Sequence, residues 1–302
     1  MPFFSPLAIS PYNRLRGGGT GGIPIGAFSS AFSSAFNLDY IPPLDTDAQA
    51  FIDAAAITGT TQQNALNQLV LDLKGTGSTT NNTDVWSEGV SIYPICPIDG
   101  STATLDGFEY NLRDPSVFQV TWNNTPTAAQ VGITGNGSNQ YGETGIIISD
   151  ELTQNNTSLT ISTSNGASGT VFAAGGSVGG VLQQTLGILS TNSGNDLTSI
   201  MYSNVGRLNA VGVGTSGVQT STRSATNNHK IYLDGSQVAT QSTSSGTFPT
   251  VELYVLGLNN NGTPSFSDTR TFNFFFIGNS LIANQAQDLY DAITTYNTAL
   301  GR

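Results

Sequence analysis

From Val90 onward, short apolar runs alternate with turn signals. Val90–Ile95, Val117–Trp122, Gly145–Ser149, Ser158–Ser162, Thr170–Ala174 and Leu197–Tyr202 predict strands. So do Arg207–Val213, Lys230–Leu233, Gln237–Thr240, Val251–Leu256 and Thr271–Ile277. Asp99-Gly100, Asn136-Gly137, Asn165-Gly166, Asp234-Gly235 and Asn261-Gly262 mark turns between them. The sharpest signal is Lys230–Leu233, then Asp234-Gly235, then Ser236–Thr240. It predicts a hairpin with a type I′ turn, whose two central residues both need positive φ. With no long helix between these runs, the pattern predicts a mainly β, antiparallel sandwich. Thr271 to Ile277, with Phe272, Phe274, Phe275 and Phe276, is too apolar for a half-solvated strand and predicts a central one covered on both faces.

A period near 3.6 appears at the two ends of this region. Asp45-Thr46-Asp47 offers N-cap side chains before Ala48–Ala55, where Phe51, Ile52 and Ala55 share a face. Thr60 opens a second helix with Gln63 as capping-box partner, and Leu66, Leu69, Val70 and Leu73 trace its stripe to Lys74 and Gly75. At the C-terminus, Asn284 is the expected N-cap with Gln287 at N3. Leu289, Tyr290, Ile293, Tyr296 and Leu300 form one stripe. That helix is expected to pack across the sandwich or the helical segment before it.

Residues 1–44 do not read as a domain. Gly17–Gly22 is a hinge by composition, and an Ala-Phe pair then recurs every four residues. The spacing puts Phe28, Phe32 and Phe36 on one side of either a helix or a strand, so periodicity does not choose between them. Together with Phe3 and Phe4 they offer apolar surface on too little sequence to bury it, which predicts an anchor that docks on another subunit. The expected organisation is an extended apolar and Gly-rich anchoring arm over 1–44, a helical neck and linker over 45–84, and the sandwich with its C-terminal helix over 85–302.

Composition narrows the partners. Charged residues are 10% of the 302, with 35 Gly, so Ser, Thr and Asn rather than charges solvate the surface. The usual charged share is roughly 25%. The formal net charge is -11 and only 9 Lys and Arg are present, scattered along the chain, which argues against nucleic acid and against an anionic bilayer surface. No apolar stretch reaches the roughly 18 residues that a membrane span needs, so no membrane insertion is expected. Met1-Pro2-Phe3-Phe4 lacks the basic start of a secretory signal. The single cysteine, Cys96, follows Ile92-Tyr93-Pro94-Ile95 and reads as a buried small hydrophobe.

Several local patterns occur in a familiar order: Asp45 to Ile52, Thr61-Gln62-Gln63, Ile92-Tyr93-Pro94, Tyr110 to Pro115, Leu253-Tyr254 leading to Asn259-Asn260-Asn261-Gly262-Thr263, Phe274 to Gly278, and a final Leu300-Gly301-Arg302. From about residue 45 to the end, the chain resembles a module of tailed-phage virion proteins, with a concanavalin A-like lectin/glucanase (LamG-like) jelly roll. The Gly-rich stretch Gly175–Asn195 and the arm depart from that pattern. The resemblance implies a structural component on the exterior of a phage particle: a head fibre, spike or tail-associated protein. It would be held by the arm on capsid, portal or tail proteins, assembled as a homo-oligomer (a trimer by analogy with fibres), and would present its sandwich to host surface glycans. The alternatives are a free carbohydrate-binding lectin module and, more weakly, a polysaccharide-degrading enzyme.

Candidate chemistry is sparse. The Glu-x-Asp-x-(x)-Glu pattern of sandwich glycosidases is absent from the five glutamates, Glu88, Glu109, Glu143, Glu151 and Glu252. Asp150 and Glu151 are adjacent and would face opposite ways on a strand, so a cap or turn role is expected. His229, the one histidine, reads as a surface or edge residue at a strand entrance, and no Gly-x-Ser-x-Gly elbow accompanies it. No catalytic residue is therefore expected. Asp150 and Asn155 have calcium-ligand chemistry, but so does any Asn-rich turn, and no metal or cofactor is expected. Gly175–Gly180 lacks the ending of a phosphate loop and reads as a flexible loop. Trp86, Trp122, Tyr141 and Tyr202 are the aromatic side chains considered as sugar platforms.

Overall fold

The computed structural model describes residues 43–302, except 168, 192–194 and 205. The expected anchors Phe3, Phe4, Phe28, Phe32 and Phe36, and the Gly17–Gly22 hinge, lie outside the described residues. The strands are β1 (Gly89–Tyr93), β2 (Thr121–Asn123), β3 (Thr127–Ala129), β4 (Gly132–Thr134), β5 (Tyr141–Ile147), β6 (Thr157–Thr163), β7 (Val171–Ser177), β8 (Thr185–Thr191) and β9 (Asp196–Met201). They continue with β10 (Leu208–Ala210), β11 (Gly217–Ala225), β12 (Asn228–Leu233), β13 (Ser236–Gln241), β14 (Glu252–Val255), β15 (Leu258–Asn260), β16 (Thr263–Ser265) and β17 (Thr271–Gly278). The helices are α1 (Thr46–Ala54), α2 (Thr60–Leu73), the single turn α3 (Ile148–Glu151) and α4 (Ala283–Ala299).

Two sheets result. The first runs β13-β12-β11-β6-β17-β4-β3, with β1 sharing an edge of β17 with β4; the second runs β10-β9-β8-β7-β14-β5-β2, with β15 and β16 beside it. Among the described residues, all strand pairings are antiparallel except β15 with β7. The molecule is thus the expected mainly β jelly-roll sandwich with an N-terminal helical hairpin and a C-terminal helix. The Asp234-Gly235 hairpin forms with φ of 48° and 75°, the positive values that its turn type requires.

Strand β17 explains the layering. A register shift between Phe272 and Phe274 breaks the simple alternation. Phe272, Phe275 and Ile277 enter the core between the sheets, beside Ile161 of β6, Ile231 of β12 and Leu253 of β14. Phe274 and Phe276 face the other way and join Leu66, Leu69 and Val70 of α2 and Leu289 and Ile293 of α4. Burying each such ring contributes about 1.5–3 kcal/mol, so a strand buried on both faces ties sandwich and helices into one body. The segment 45–84 shares this second core with the sheet, inside one unit of residues 44–302.

Polar groups fasten the helices. Asp45 caps α1 by accepting the Asp47 N–H at 2.9 Å, and Lys74 Nζ lies 2.7 Å from Asp45 and 2.6 Å from Asp47. Burial alone would raise the Asp45 pKa, but hydrogen bonds from Lys74 and Asp47 outweigh it and hold the carboxyl below its ordinary value. Helix α4 begins slightly before the expected Asn284: the residue ahead of it is Ile282, whose N–H donates to Gln285 Oε1 at 3.0 Å.

Two expectations are corrected. Gly175–Gly180 is not one flexible loop, because Gly175 and Gly176 lie inside the buried strand β7 and only Gly179 and Gly180 form a turn, with φ of 66° and 71°. A Cβ on Gly175 would stand 2.8 Å from the Leu186 carbonyl oxygen, so the glycine is there for close approach rather than for mobility. His229 is not at the surface; it is fully buried in β12. The sequence pattern also passes over β11, whose Gln219, Thr220, Ser221 and Thr222 are buried without being apolar. Their polar atoms are paired across strands instead, as in Thr160 Oγ1 with Thr220 Oγ1 at 2.9 Å.

Candidate functional site

The helices cover the outer face of the first sheet, whereas the outer face of the second carries a small cluster of its own. Phe172, Leu189, Ile200 and Leu258 make it, with Leu182 packed alongside, and none comes from a helix of the hairpin or from α4. Strand alternation populates this face. Ile146, Leu253 and Val255 point into the sandwich, so Tyr141, Glu143, Glu252 and Tyr254 point out.

Tyr254 and Glu143 are register partners on β14 and β5. The Tyr254 hydroxyl donates to Glu143 Oε1 at 3.2 Å, and the rings of Tyr141 and Tyr254 stack with centroids 4.8 Å apart and planes at 27°. Glu252 accepts the Gly145 N–H at 2.7 Å. Burial and, after it, the nearby charge of Glu143 push the Tyr254 phenol up, and they do the same to Tyr141. Glu252 is also raised, by burial first and by Glu143 second, with the Gly145 N–H opposing.

A hollow of about 130 Å³, lined in part by Phe172, Ile200 and Leu258, opens on the same sheet. The two features meet at Gly175, which pairs with Tyr254 and whose missing side chain lets Leu258 and Phe172 lie against the sheet. The β15–β16 hairpin turns at Asn261-Gly262, with φ of 52° and 86°, and carries Leu258 and Asn260 to the hollow. Phe266 closes its side, with its ring 5.9 Å from that of Phe172. Phe266 is 56% exposed and has φ of 52°, a left-handed conformation that a bulky residue rarely adopts. Asn260 Oδ1 is buried and has no hydrogen-bond partner. Arg207 is exposed at the rim.

Of the four aromatics expected as platforms, Tyr141 stands on this face. Trp86 is buried beneath Lys74 and Arg113, whose cationic groups lie 5.2 and 4.7 Å from its ring centre. Trp122 packs against the sandwich core. Tyr202 is buried edge-on to Phe248, and its hydroxyl accepts the Asn155 N–H. Asp150 lies in α3 and accepts from Ser149. Among the described residues, no three His, Cys, Asp or Glu side chains gather as metal ligands. Sequence reasoning missed Phe266, Phe172, Asn260 and the Glu143–Tyr254 partnership; the Asn259 to Thr263 turn signal was the one clue to the hairpin that builds the hollow.

No protein-family model matches the chain, and no curated protein matches it. Solved structures that align with part of the chain include the NanB sialidase of Streptococcus pneumoniae, at 13% identity over 45% of this chain and 24% of that one, with a TM-score of 0.35. Trypanosoma rangeli sialidase in complex with 2,3-difluorosialic acid aligns at 15% identity over 68% and 32%, with a TM-score of 0.44. The CBM40 of Ruminococcus gnavus IT-sialidase, solved bound to α2,3-sialyllactose, aligns at 12% identity over 42% and 77%, with a TM-score of 0.34. The chain spans about a quarter of the length of the pneumococcal enzyme. The class that its own two sheets define is the antiparallel β-sandwich.

Proposed function

We propose that the chain is a non-catalytic glycan-binding module that meets its ligand on the open face of the second sheet. The observation that carries this reading is Phe266, held largely exposed in a strained backbone conformation beside a hollow with a polar rim. Sugars bind where an aromatic face meets their C–H surface and where amides or carboxylates meet their hydroxyls. Tyr141, Tyr254, Glu143 and Glu252 extend that chemistry along the same face. On a glycan array the intact chain is expected to bind a defined set of saccharides. Phe266→Ala and Tyr141→Ala are expected to lose binding with unchanged melting. An array without binding overturns the reading, and release of reducing sugar from a bound glycan overturns its non-catalytic part.

The Ala-Phe spacing through Phe28, Phe32 and Phe36 favours a second reading, in which this module is displayed on the exterior of a phage particle. Residues 1–44 would anchor it to other virion proteins, and trimeric copies would multiply weak host-glycan contacts by avidity. Deleting residues 1–44 is expected to abolish incorporation into particles. Purified particles that lack the protein on peptide mapping sink this second reading.

A further inference from the structure

The hollow beside Phe266 is chemically lopsided. Phe172, Leu182, Ile200 and Leu258 supply hydrocarbon; in the polar part of the lining the Ser177 and Thr185 hydroxyls bond to each other, and Thr185 to the Val181 carbonyl, whereas Asn260 holds a buried oxygen with no donor. Leaving such an acceptor unpaired is unfavourable, since it has given up its water without gaining a donor. Gly180, also in the wall, lies against that oxygen and has no side chain to donate: a Cβ built on it would stand 3.9 Å away. Size is the second constraint. A dry cavity of ~150 Å³ holds a six-membered ring, so the hollow, at about 130 Å³, has room for a substituent of about four heavy atoms.

We propose that this hollow is a specificity pocket for the acetamido group of an N-acetylated sugar. The methyl lies against Phe172, Leu182 and Ile200, and the amide N–H donates to Asn260 Oδ1. The acyl oxygen faces the guanidinium of Arg207, and the sugar ring stays outside against Phe266. Each wall matches one part of the substituent: hydrocarbon for methyl, an orphan acceptor for N–H, and a cationic donor at the rim for the carbonyl. A bare alkyl group would leave Asn260 unpaired, and an unsubstituted hydroxyl would leave the hydrocarbon walls without a partner. The proposal rests on the glycan-binding reading and names the substituent recognised.

The test is titration calorimetry on the intact chain with paired methyl glycosides: N-acetylglucosamine against glucose, and N-acetylgalactosamine against galactose. At least one N-acetylated member is expected to bind, its partner at least tenfold more weakly, and the two pairs distinguish which sugar carries the group. Asn260→Leu is expected to lose at least tenfold of that affinity. Asn260→Asp is expected to retain most of it, because a carboxylate still accepts an amide N–H. Melting curves of both variants establish that the fold persists. Equal affinity within both pairs, or an Asn260→Leu variant that binds as the parent does, overturns the pocket and leaves the glycan-binding reading standing. A chain that binds no saccharide, on the array or in titration, overturns both.

Discussion

Ser199 Oγ on β9 lies 2.9 Å from His229 Nε2 on β12, so a hydrogen bond bridges the two sheets inside the sandwich. Ser221 approaches the same nitrogen at 3.2 Å. Burial, and then the charge of Arg223, pushes the imidazole from an ordinary 6.5 down to about 3. The unfolded chain therefore takes up a proton near pH 6.5, and the folded chain does so only near pH 3. Between these values, lowering the pH favours unfolding by up to about 1.4 kcal/mol per unit; above them this residue contributes no pH dependence. Urea unfolding between pH 7 and pH 5, where carboxylates hardly titrate, is expected to show the parent losing stability relative to His229→Gln. Superimposable pH profiles for the two proteins would falsify this account of the buried imidazole.

A second buried group is charged and paired. Arg270 Nη2 lies 2.7 Å from Asp268 Oδ2 with both side chains inaccessible, and Nη1 donates to the Thr215 carbonyl at 2.8 Å. Removing one partner strands the other charge in the core, which costs about 3–5 kcal/mol, whereas replacing both by hydrocarbon is often close to neutral. Asp268→Leu and Arg270→Met are each expected to lower the denaturation midpoint strongly, and the double variant is expected to recover a large part of the loss. Additive losses in the double-mutant cycle would show that the pair itself is not what holds Arg270 in place.

These two residues show where the sequence was legible and where it was not. Apolar periodicity carries burial information, so Phe274 on β17 and Leu66 on α2 were placed correctly from pattern alone. Ser199, Ser221, His229 and Thr220 are equally buried, but their polarity makes them read as surface. Only the partner on another strand, far away in sequence, makes burial affordable for them. Hairpins closed by a Gly turn were legible because positive φ is a local demand, as at Asp234-Gly235. The hollow was not, since Phe172, Ile200 and Phe266 come from separate strands and loops, and no spacing in the chain links them.

In the stretch that leads from α2 toward β1, Asn81 and Thr83 share one carboxylate. Asp288 of α4 accepts the N–H groups of Asn81 and Thr83, each at 2.7 Å, and the Thr83 hydroxyl at 2.6 Å. Burial alone would raise its pKa, but the Thr83 and Asn81 donors outweigh it and hold the carboxyl below the ordinary 3.8. Its contribution is present above the unfolded-state value and is lost as the pH falls through the lower folded value. Asp288→Ala is expected to cost about 1.5–3 kcal/mol, since it removes hydrogen bonds to a charged group. The amides of residues 81 and 83 should lose hydrogen-exchange protection in that variant while β17 keeps its own. Unchanged protection at both amides would rule the clamp out.

Gly175 and Gly179 separate strand from turn by opposite responses to the same substitution. On Gly175 a Cβ would meet the Leu186 carbonyl oxygen at 2.8 Å, the Leu258 side chain at 3.0 Å and the Phe172 ring at 3.1 Å. The first of these is backbone in the neighbouring strand and cannot move aside cheaply, so Gly175→Ala is expected to cost about 1–3 kcal/mol as an overpacked site. It should also displace Phe172 and Leu258, both lining the hollow, and weaken any ligand held there. On Gly179 nothing lies within 4 Å, and only the positive φ of 66° resists a side chain. Gly179→Ala should cost about 1–2 kcal/mol from that backbone preference, with ligand affinity unchanged. Were residues 175–180 a mobile loop, Gly175→Ala would instead be neutral or stabilising by about 0.4–1 kcal/mol, because it stiffens only the unfolded chain. The sign of the Gly175→Ala effect in thermal melting decides between the two.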